Sequence, residues 1–213
     1  MTTQVCAVLL AAGAGSRFTG RGHKLRAEVD GASVFARSLT SVLAGNIGPV
    51  VVVVGAENLA DEVARVSDTT PAPHAAVSVV TNPRWAEGMA TSLRAGIDAA
   101  AALGADTVVV GLADQPGVEP DAWRRLADSA CDLAVATYDG VRGHPVRIGK
   151  RWWAQISEVG DEGARALLRR EAEIVCEVAC RGTPTDVDTA DDLARINGQL
   201  VADRHRARHQ SKE

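Results

Sequence analysis

The residues best equipped for chemistry stand near the start of the chain. Gly13 and Gly15 lie in a run of small residues, Ala11-Ala12-Gly13-Ala14-Gly15-Ser16, with Arg17 directly after it and Lys24 further on. An apolar stretch, Val5 to Leu10, leads into that run. A loop without bulky side chains lets backbone N–H groups approach a polyphosphate closely. Arg17 and Lys24 could neutralise charge that develops during phosphoryl chemistry. Two common glycine patterns are not met. The dinucleotide fingerprint needs glycine at its first, third and sixth positions and an acid about 20 residues on; Gly13 and Gly15 fit, but the sixth position is Phe18 and no such acid follows in context. A Walker loop needs Gly-Lys and then Ser or Thr, whereas Gly20 is followed by Arg21 and Gly22. An ordinary tight turn between strand and helix is the competing reading.

Three more segments carry matching chemistry. Thr81 to Leu93, which includes Asn82, Trp85, Gly88, Met89 and Ser92, collects amides and hydroxyls. Ala113-Asp114-Gln115-Pro116 and Thr185-Asp186-Val187-Asp188-Thr189 present carboxylates. Mg²⁺ takes one or two carboxylates and completes its octahedron with phosphate oxygens and water. Asp114 directly follows an apolar run and is the first candidate ligand, with a turn cap as its alternative role. Asp188 is the second, although it could simply cap the last helix. Asp191 and Asp192 would complement that helix's dipole.

These segments need elements that bring them together. Val5 to Leu10, Pro49 to Val54, Val77 to Val80 and Thr107 to Leu112 read as strands, the valine run being typical of a parallel strand buried on both faces. Helices are expected from Ser33 (as cap) through Leu43, from Met89 to Leu103 with Gly104 as stop, and from Pro120 to Ser129. Leu133 to Tyr138 and His144 to Ile148 flank the Asp139-Gly140 turn signal and read as a hairpin. Asp161 would cap a helix through Arg169, Ile174 to Val178 alternates as a strand, and Ala190 to Val201 is a final helix. The order predicts a three-layer α/β/α fold with a mostly parallel, Rossmann-like sheet and some antiparallel pairing late in the chain. One domain over residues 1–202 is expected, with a polar tail over 203–213. Ligands in such a sheet gather outside the carboxyl ends of the strands, where all four segments fall.

Composition narrows the function classes. With 213 residues the chain can bury a sizeable core. A net charge of −4 argues against a broad nucleic-acid surface. No apolar stretch is long enough to span a bilayer, and no export signal is visible, so a cytoplasmic protein is expected. Cys6, Cys131, Cys176 and Cys180 are scattered; disulfides are not expected, and the Cys176/Cys180 spacing lacks the further ligands that zinc needs.

Taken together, these motifs resemble the molybdenum cofactor nucleotidyltransferases. The matching stretches are Leu10-Ala11-Ala12-Gly13 with Ser16-Arg17 and Lys24; Asn82, Trp85, Gly88-Met89 and Ser92-Leu93; Asp114-Gln115-Pro116; Gly143-His144-Pro145-Val146; Gly160-Asp161 with Gly163-Ala164-Arg165; and Asp186-Val187-Asp188-Thr189. The nearest subgroup is the cytidylyltransferases, since relatives that use GTP read Leu-Ala-Gly-Gly where this chain has Leu10-Ala11-Ala12-Gly13. The resemblance implies transfer of CMP from CTP to the terminal phosphate of molybdopterin cofactor, with pyrophosphate released. It gives Arg17 and Lys24 to the triphosphate, together with Leu10, Ala11, Ala12, Gly13 and Gly15. Asn82, Gly88 and Ser92 go to the base, Asp114 and Asp188 to Mg²⁺, and His144 and Arg165 to the acceptor. A structural histidine is the other reading of His144, and a core anchor the other reading of Trp85. The loop before Lys24 is about two residues longer than the family's, which leaves Arg21 and Arg26 as alternative cations. GTP, another acceptor such as a sugar phosphate, methylerythritol phosphate or phospholactate, and a non-catalytic nucleotide or cofactor carrier are the alternative functions. A molybdoenzyme or its chaperone would receive the product; neither nucleic acid nor membrane is an expected partner.

Overall fold

The computed structural model describes residues 3–20 and 22–210. Its centre is a seven-stranded sheet. In chain order the strands are β1 (Val5–Ala11), β4 (Val50–Val54), β5 (Val77–Thr81), β6 (Thr107–Leu112), β7 (Leu133–Tyr138), β8 (Val141–Gly149) and β9 (Cys176–Ala179). Glu28–Val29 and Ala32–Ser33 form a separate small hairpin, β2–β3. The sheet order is β5-β4-β1-β6-β8-β7-β9. Only β8 runs against the rest of the sheet, since it pairs antiparallel with both β6 and β7. The helices are α1 (Val34–Gly45), α2 (Ala60–Thr69), α3 (Met89–Ala102), α4 (Pro120–Ala127), α5 (Arg165–Arg170) and α6 (Ala190–Gln210).

Alternation along β1 sorts the core into two layers, because successive strand side chains point to opposite faces. Ala7, Leu9 and Ala11 pack with Phe35 and Leu39 of α1, Val63 of α2, Trp123 of α4 and Ile196 of α6. Cys6, Val8 and Leu10 pack with Leu93 and Ile97 of α3, Leu167 and Leu168 of α5, and Trp153. This is the three-layer α/β/α arrangement expected from the sequence. The chain crosses from β5 at one edge back past β1 to β6. The loops after β1 and β6 therefore border the crevice where strand order reverses, the usual ligand position in such sheets.

Local signals explain most element ends. The Ser33 hydroxyl accepts the Ala36 N–H at 3.0 Å and caps α1. Gly104, at φ +83°, follows α3 as its stop. Asp139 and Gly140 both have positive φ (49° and 81°) and close the β7–β8 hairpin.

Other expectations need correction. α2 is a helix for which the sequence reading named no element; it buries Glu62, Val63 and Val66. α5 starts at Arg165, not Asp161, since residues 157–164 form a loop against α3 instead. α6 continues to Gln210 instead of ending at Val201; no glycine or proline interrupts residues 202–210. Its cap is Thr189, not Asp188. The Asp192 N–H donates to Thr189 Oγ1 (3.1 Å), and the Thr189 N–H donates to Asp192 Oδ2 (3.0 Å), a reciprocal box. Cys131 and Cys176 form a disulfide, contrary to expectation. The parallel register of β7 and β9 sets Ala134 opposite Cys176, which brings the two cysteine Cα atoms to 6.2 Å. Among the described residues, no helix is long and apolar enough to cross a membrane.

Candidate active site

Three charged side chains from distant parts of the chain meet above the carboxyl ends of β1 and β6. Lys24 Nζ donates to Asp114 Oδ2 at 2.6 Å and to Asp188 Oδ1 at 2.9 Å. Arg17 reaches the other Asp188 oxygen at 3.3 Å, with its side chain 80% exposed. Lys24 is by contrast only 11% exposed. Burial works against its charge, but Asp114 and Asp188 outweigh that and hold its pKa above the ordinary lysine value.

The backbone around Asp114, Asp188 and Lys24 is tied by hydrogen bonds. Asp114 follows β6, and the turn beneath it is tied to α1 by two buried hydroxyls: Ser38 Oγ donates to Ala113 O (2.9 Å) and Ser41 Oγ to Val118 O (2.6 Å). The Ala113 N–H donates to Leu10 O at 3.0 Å, which locks the ends of β1 and β6 together. The loop before α6 is tied in the same way, since the Val187 N–H donates to Asp114 O at 2.9 Å. Gln115 Nε2 donates to Asp186 Oδ1 at 2.7 Å. Burial and the nearby Asp114 charge raise the Asp186 pKa, against the opposing Gln115 bond. Lys24 opens a short 3-10 turn, Lys24–Arg26, whose cap is His23. His23 Nδ1 accepts the Leu25 N–H (3.3 Å), so Nε2 carries the proton and donates to Gly13 O at 3.0 Å. His23, Gln115 and Asp186 thus organise the site without having been assigned a role from the sequence. Gln115 and Asp186 sit within the quoted motifs, and only the spatial pairing reveals what they do.

The loop after β1 separates into a fixed part and an open part. Leu10, Ala11 and Ala12 are buried, and Ala12 O accepts the Ala56 N–H at 3.1 Å. Gly13 is exposed, and a Cβ placed there would meet nothing within 4 Å. Gly15 has φ +63° and lies against the aliphatic stem of Lys24. Arg26 is committed elsewhere, to Glu57 Oε1 (2.6 Å) and the Asn58 carbonyl (2.5 Å). It does not take the Lys24 position. Arg21 lies outside the described residues.

A second wall is the turn between β5 and α3. Asn82 is buried and donates through Nδ2 to Thr91 Oγ1 (2.8 Å) and Ser92 Oγ (2.9 Å). Its Oδ1 accepts the Arg84 N–H at 2.9 Å. Asn82 and Ser92 therefore brace the turn from within, while Gly88 sits at its bend with φ +113°. Trp85 packs across Gly55 against the lower core, the anchoring role among its two readings. The loop carrying Gly160 lies over this bend, and Ala90 N–H donates to Gly160 O at 2.9 Å.

His144 on β8 and Arg165 at the start of α5 are close enough to interact electrostatically. β8 extends past the end of β6, and Tyr138 Oη donates to His144 O at 2.7 Å. Burial, reinforced by the Arg165 charge, pushes the His144 imidazole down to about 4. At neutral pH it is an uncharged hydrogen-bonding group beside a permanent cation.

Asp114 and Asp188, which share Lys24, are two carboxylates of the number that Mg²⁺ takes from a protein. Asp114 Oδ1 is buried and has no hydrogen-bond partner, an acceptor left over for a ligand. Among the described residues no group of three or more His, Cys, Asp or Glu is placed to hold a metal. Phosphate oxygens and water would have to complete the shell, as Mg²⁺ prefers.

A mixed sheet of this order, with a glycine loop and paired acids at the strand ends, defines an α/β nucleotidyltransferase. The chain belongs to the MobA-like NTP transferase domain family, which residues 7–175 match. It is 34% identical over 205 residues to nicotine blue oxidoreductase of Paenarthrobacter nicotinovorans, covering 90% of this chain and 96% of that protein. A nucleotidyl transferase from Methanothermobacter superposes with a TM-score of 0.76 over 94% of this chain and 99% of its own, at 24% identity. The manganese complex of Rv0371c from Mycobacterium tuberculosis gives 0.69 over 92% and 99%, at 27% identity.

Proposed function

We propose that this enzyme transfers CMP from CTP to the terminal phosphate of molybdopterin cofactor and releases pyrophosphate. One observation carries the nucleotidyl-transfer chemistry: a lysine bridging Asp114 and Asp188 beside the open Gly13–Gly15 loop. Such a cluster supplies both the anion contacts and the cation ligands that the α-phosphorus needs. The manganese complex of a relative supports a divalent ion here.

The acceptor phosphate is already an anion, so no strong general base is required. Catalysis rests on in-line positioning and on charge neutralisation. Gly13 and Gly15 offer backbone N–H groups to the triphosphate, while Arg17 and Lys24 neutralise it as the leaving pyrophosphate gains charge. Gly88 and the first turn of α3 read the cytosine edge, braced by Asn82 and Ser92. Arg165 attracts the acceptor phosphate, and neutral His144 orients it through a hydrogen bond. Asp114 and Asp188 would hold Mg²⁺, which when bound withdraws electron density from the phosphorus and shields the phosphate oxygens. CTP is favoured over GTP by the Ala11-Ala12 pair.

The test is pyrophosphate release with CTP, GTP and ATP, each with Mg²⁺ and molybdopterin cofactor. CTP should be turned over at least ten-fold faster than the others. Release with GTP, or only with a different phosphate acceptor, would replace the substrate assignment and keep the reaction. The name of the 34%-identical relative supplies a second reading, a redox enzyme on this fold. Redox turnover of nicotine blue, followed by its colour, with no pyrophosphate released from any nucleotide, would establish that reading instead.

A further inference from the structure

We propose that Lys24 is the resting occupant of the divalent-cation position, so that the cation enters together with the triphosphate rather than before it. This inference rests on the reading of Asp114 and Asp188 as the cation ligands. The Lys24 ammonium already contacts both carboxylates, at 2.6 and 2.9 Å. A cation bound to the same oxygens at a carboxylate–Mg²⁺ distance of about 2.1 Å would overlap that ammonium and be repelled by it. On Asp114 Oδ2 and Asp188 Oδ1, the two oxygens that Lys24 holds, the two positive centres are mutually exclusive occupants, while Asp114 Oδ1 stays open to complete the cation's shell once the ammonium has left.

The structure also shows where the ammonium can go. Lys24's backbone is fixed by the His23 cap, and its stem lies along Gly15, whose added Cβ would come within 3.0 Å of Lys24 Cγ. In the proposed exchange, rotation about the outer side-chain torsions would carry Nζ from the carboxylates toward the Gly13–Gly15 backbone, along which the stem already lies. A triphosphate seated there offers an alternative set of anionic oxygens, and its own oxygens complete the divalent shell that two carboxylates leave open. His23 links the two halves of the exchange, since one ring nitrogen holds Gly13 and the other holds the turn that carries Lys24. Arg17 stays on Asp188's outer oxygen at 3.3 Å, partly neutralising that carboxylate in the absence of metal.

Mn²⁺ binding to the full chain, followed by the electron paramagnetic resonance of free Mn²⁺, tests this directly. Wild type, Lys24→Met and Asp114→Asn are titrated with and without α,β-methylene-CTP, which cannot be cleaved at the α-phosphorus. Lys24→Met keeps the stem against Gly15 and removes the ammonium. Without nucleotide it should bind Mn²⁺ at least ten-fold more tightly than wild type, and Mn²⁺ should raise its melting temperature more. With the analogue, wild type should gain Mn²⁺ affinity by a larger factor than the variant. Equal or weaker nucleotide-free binding by folded Lys24→Met, judged by its circular dichroism melt, overturns the gate while leaving the cation site intact. Mn²⁺ binding that Asp114→Asn leaves unchanged overturns both the gate and the site assignment beneath it.

Discussion

Asp114 bears the greatest demand of any single residue. Its backbone carbonyl holds the loop before α6 through Val187, one carboxylate oxygen holds Lys24, and the other is buried without a partner. Asp114→Asn keeps the shape and removes the charge. Turnover should fall by about 10²–10³-fold, as when one preorganised electrostatic group is lost, while circular dichroism and the melt show an intact fold. Normal Mg²⁺-dependent turnover would remove Asp114 from the site. His144 offers a pH test at the same scale. Its folded value of about 4 lies below the ordinary 6.5, so the unfolded chain binds more protons between these limits. The neutral ring's contribution is complete above pH 6.5 and is lost as pH falls toward 4, to a total of about 3 kcal/mol. His144→Gln should flatten the fall in melting temperature over that window; an unchanged slope would assign it to other groups. The types and order of these residues were legible in the sequence because each follows a strand or precedes a helix. The choice among Lys24, Arg21 and Arg26 was not, because loop length alone does not say which cation turns inward. Arg26 is excluded from the inner position by Glu57 and Asn58, which no local pattern announces.

The elements were legible wherever burial or turn chemistry left a periodic mark. β4 is five buried valines and α1 has both a serine cap and a buried face, so both announce themselves. α2, which buries Glu62, Val63 and Val66, had no element named for it in the sequence reading, and the residues before α5 were misassigned because Asp161 resembles a cap. That segment is instead a loop whose Gly160 carbonyl receives the Ala90 N–H at the start of α3. Gly88 lies beneath it, and a Cβ there would come within 2.5 Å of the Gly160 backbone. Positive φ adds strain for any side chain. Gly88→Ala should therefore cost about 1–3 kcal/mol of stability and separate the loop from α3. If this turn reads the base, KM for CTP should rise at least ten-fold while the KM for the acceptor changes little. A stability loss with unchanged KM would make the turn structural only.

At the scale of the molecule the sheet has two regions of different character. β5, β4, β1 and β6 are parallel and carry the loops proposed for the nucleotide, whereas β8, β7 and β9 form the other region, with His144, proposed for the acceptor, on β8. The Cys131–Cys176 disulfide lies wholly in the second region, between the entrance to β7 and the start of β9, and closes a span of 45 residues. Sequence could not show this pairing, because it depends on the parallel register that sets Cys176 opposite Ala134. On the chain-entropy account a loop of that length contributes about 4 kcal/mol by restricting the unfolded chain. Cys131→Ser with Cys176→Ser, or wild type in excess reductant, should melt about 8–16 °C lower than the oxidised protein, the shift expected for a chain of this size. The nucleotide loops hang from β1, β4, β5 and β6, none of which the disulfide touches. KM for CTP should accordingly stay within two-fold, and any functional loss should appear in the acceptor's KM. A large rise in KM for CTP on reduction would show that the two regions are mechanically coupled through β6 and β8, and that the disulfide helps to set the nucleotide site.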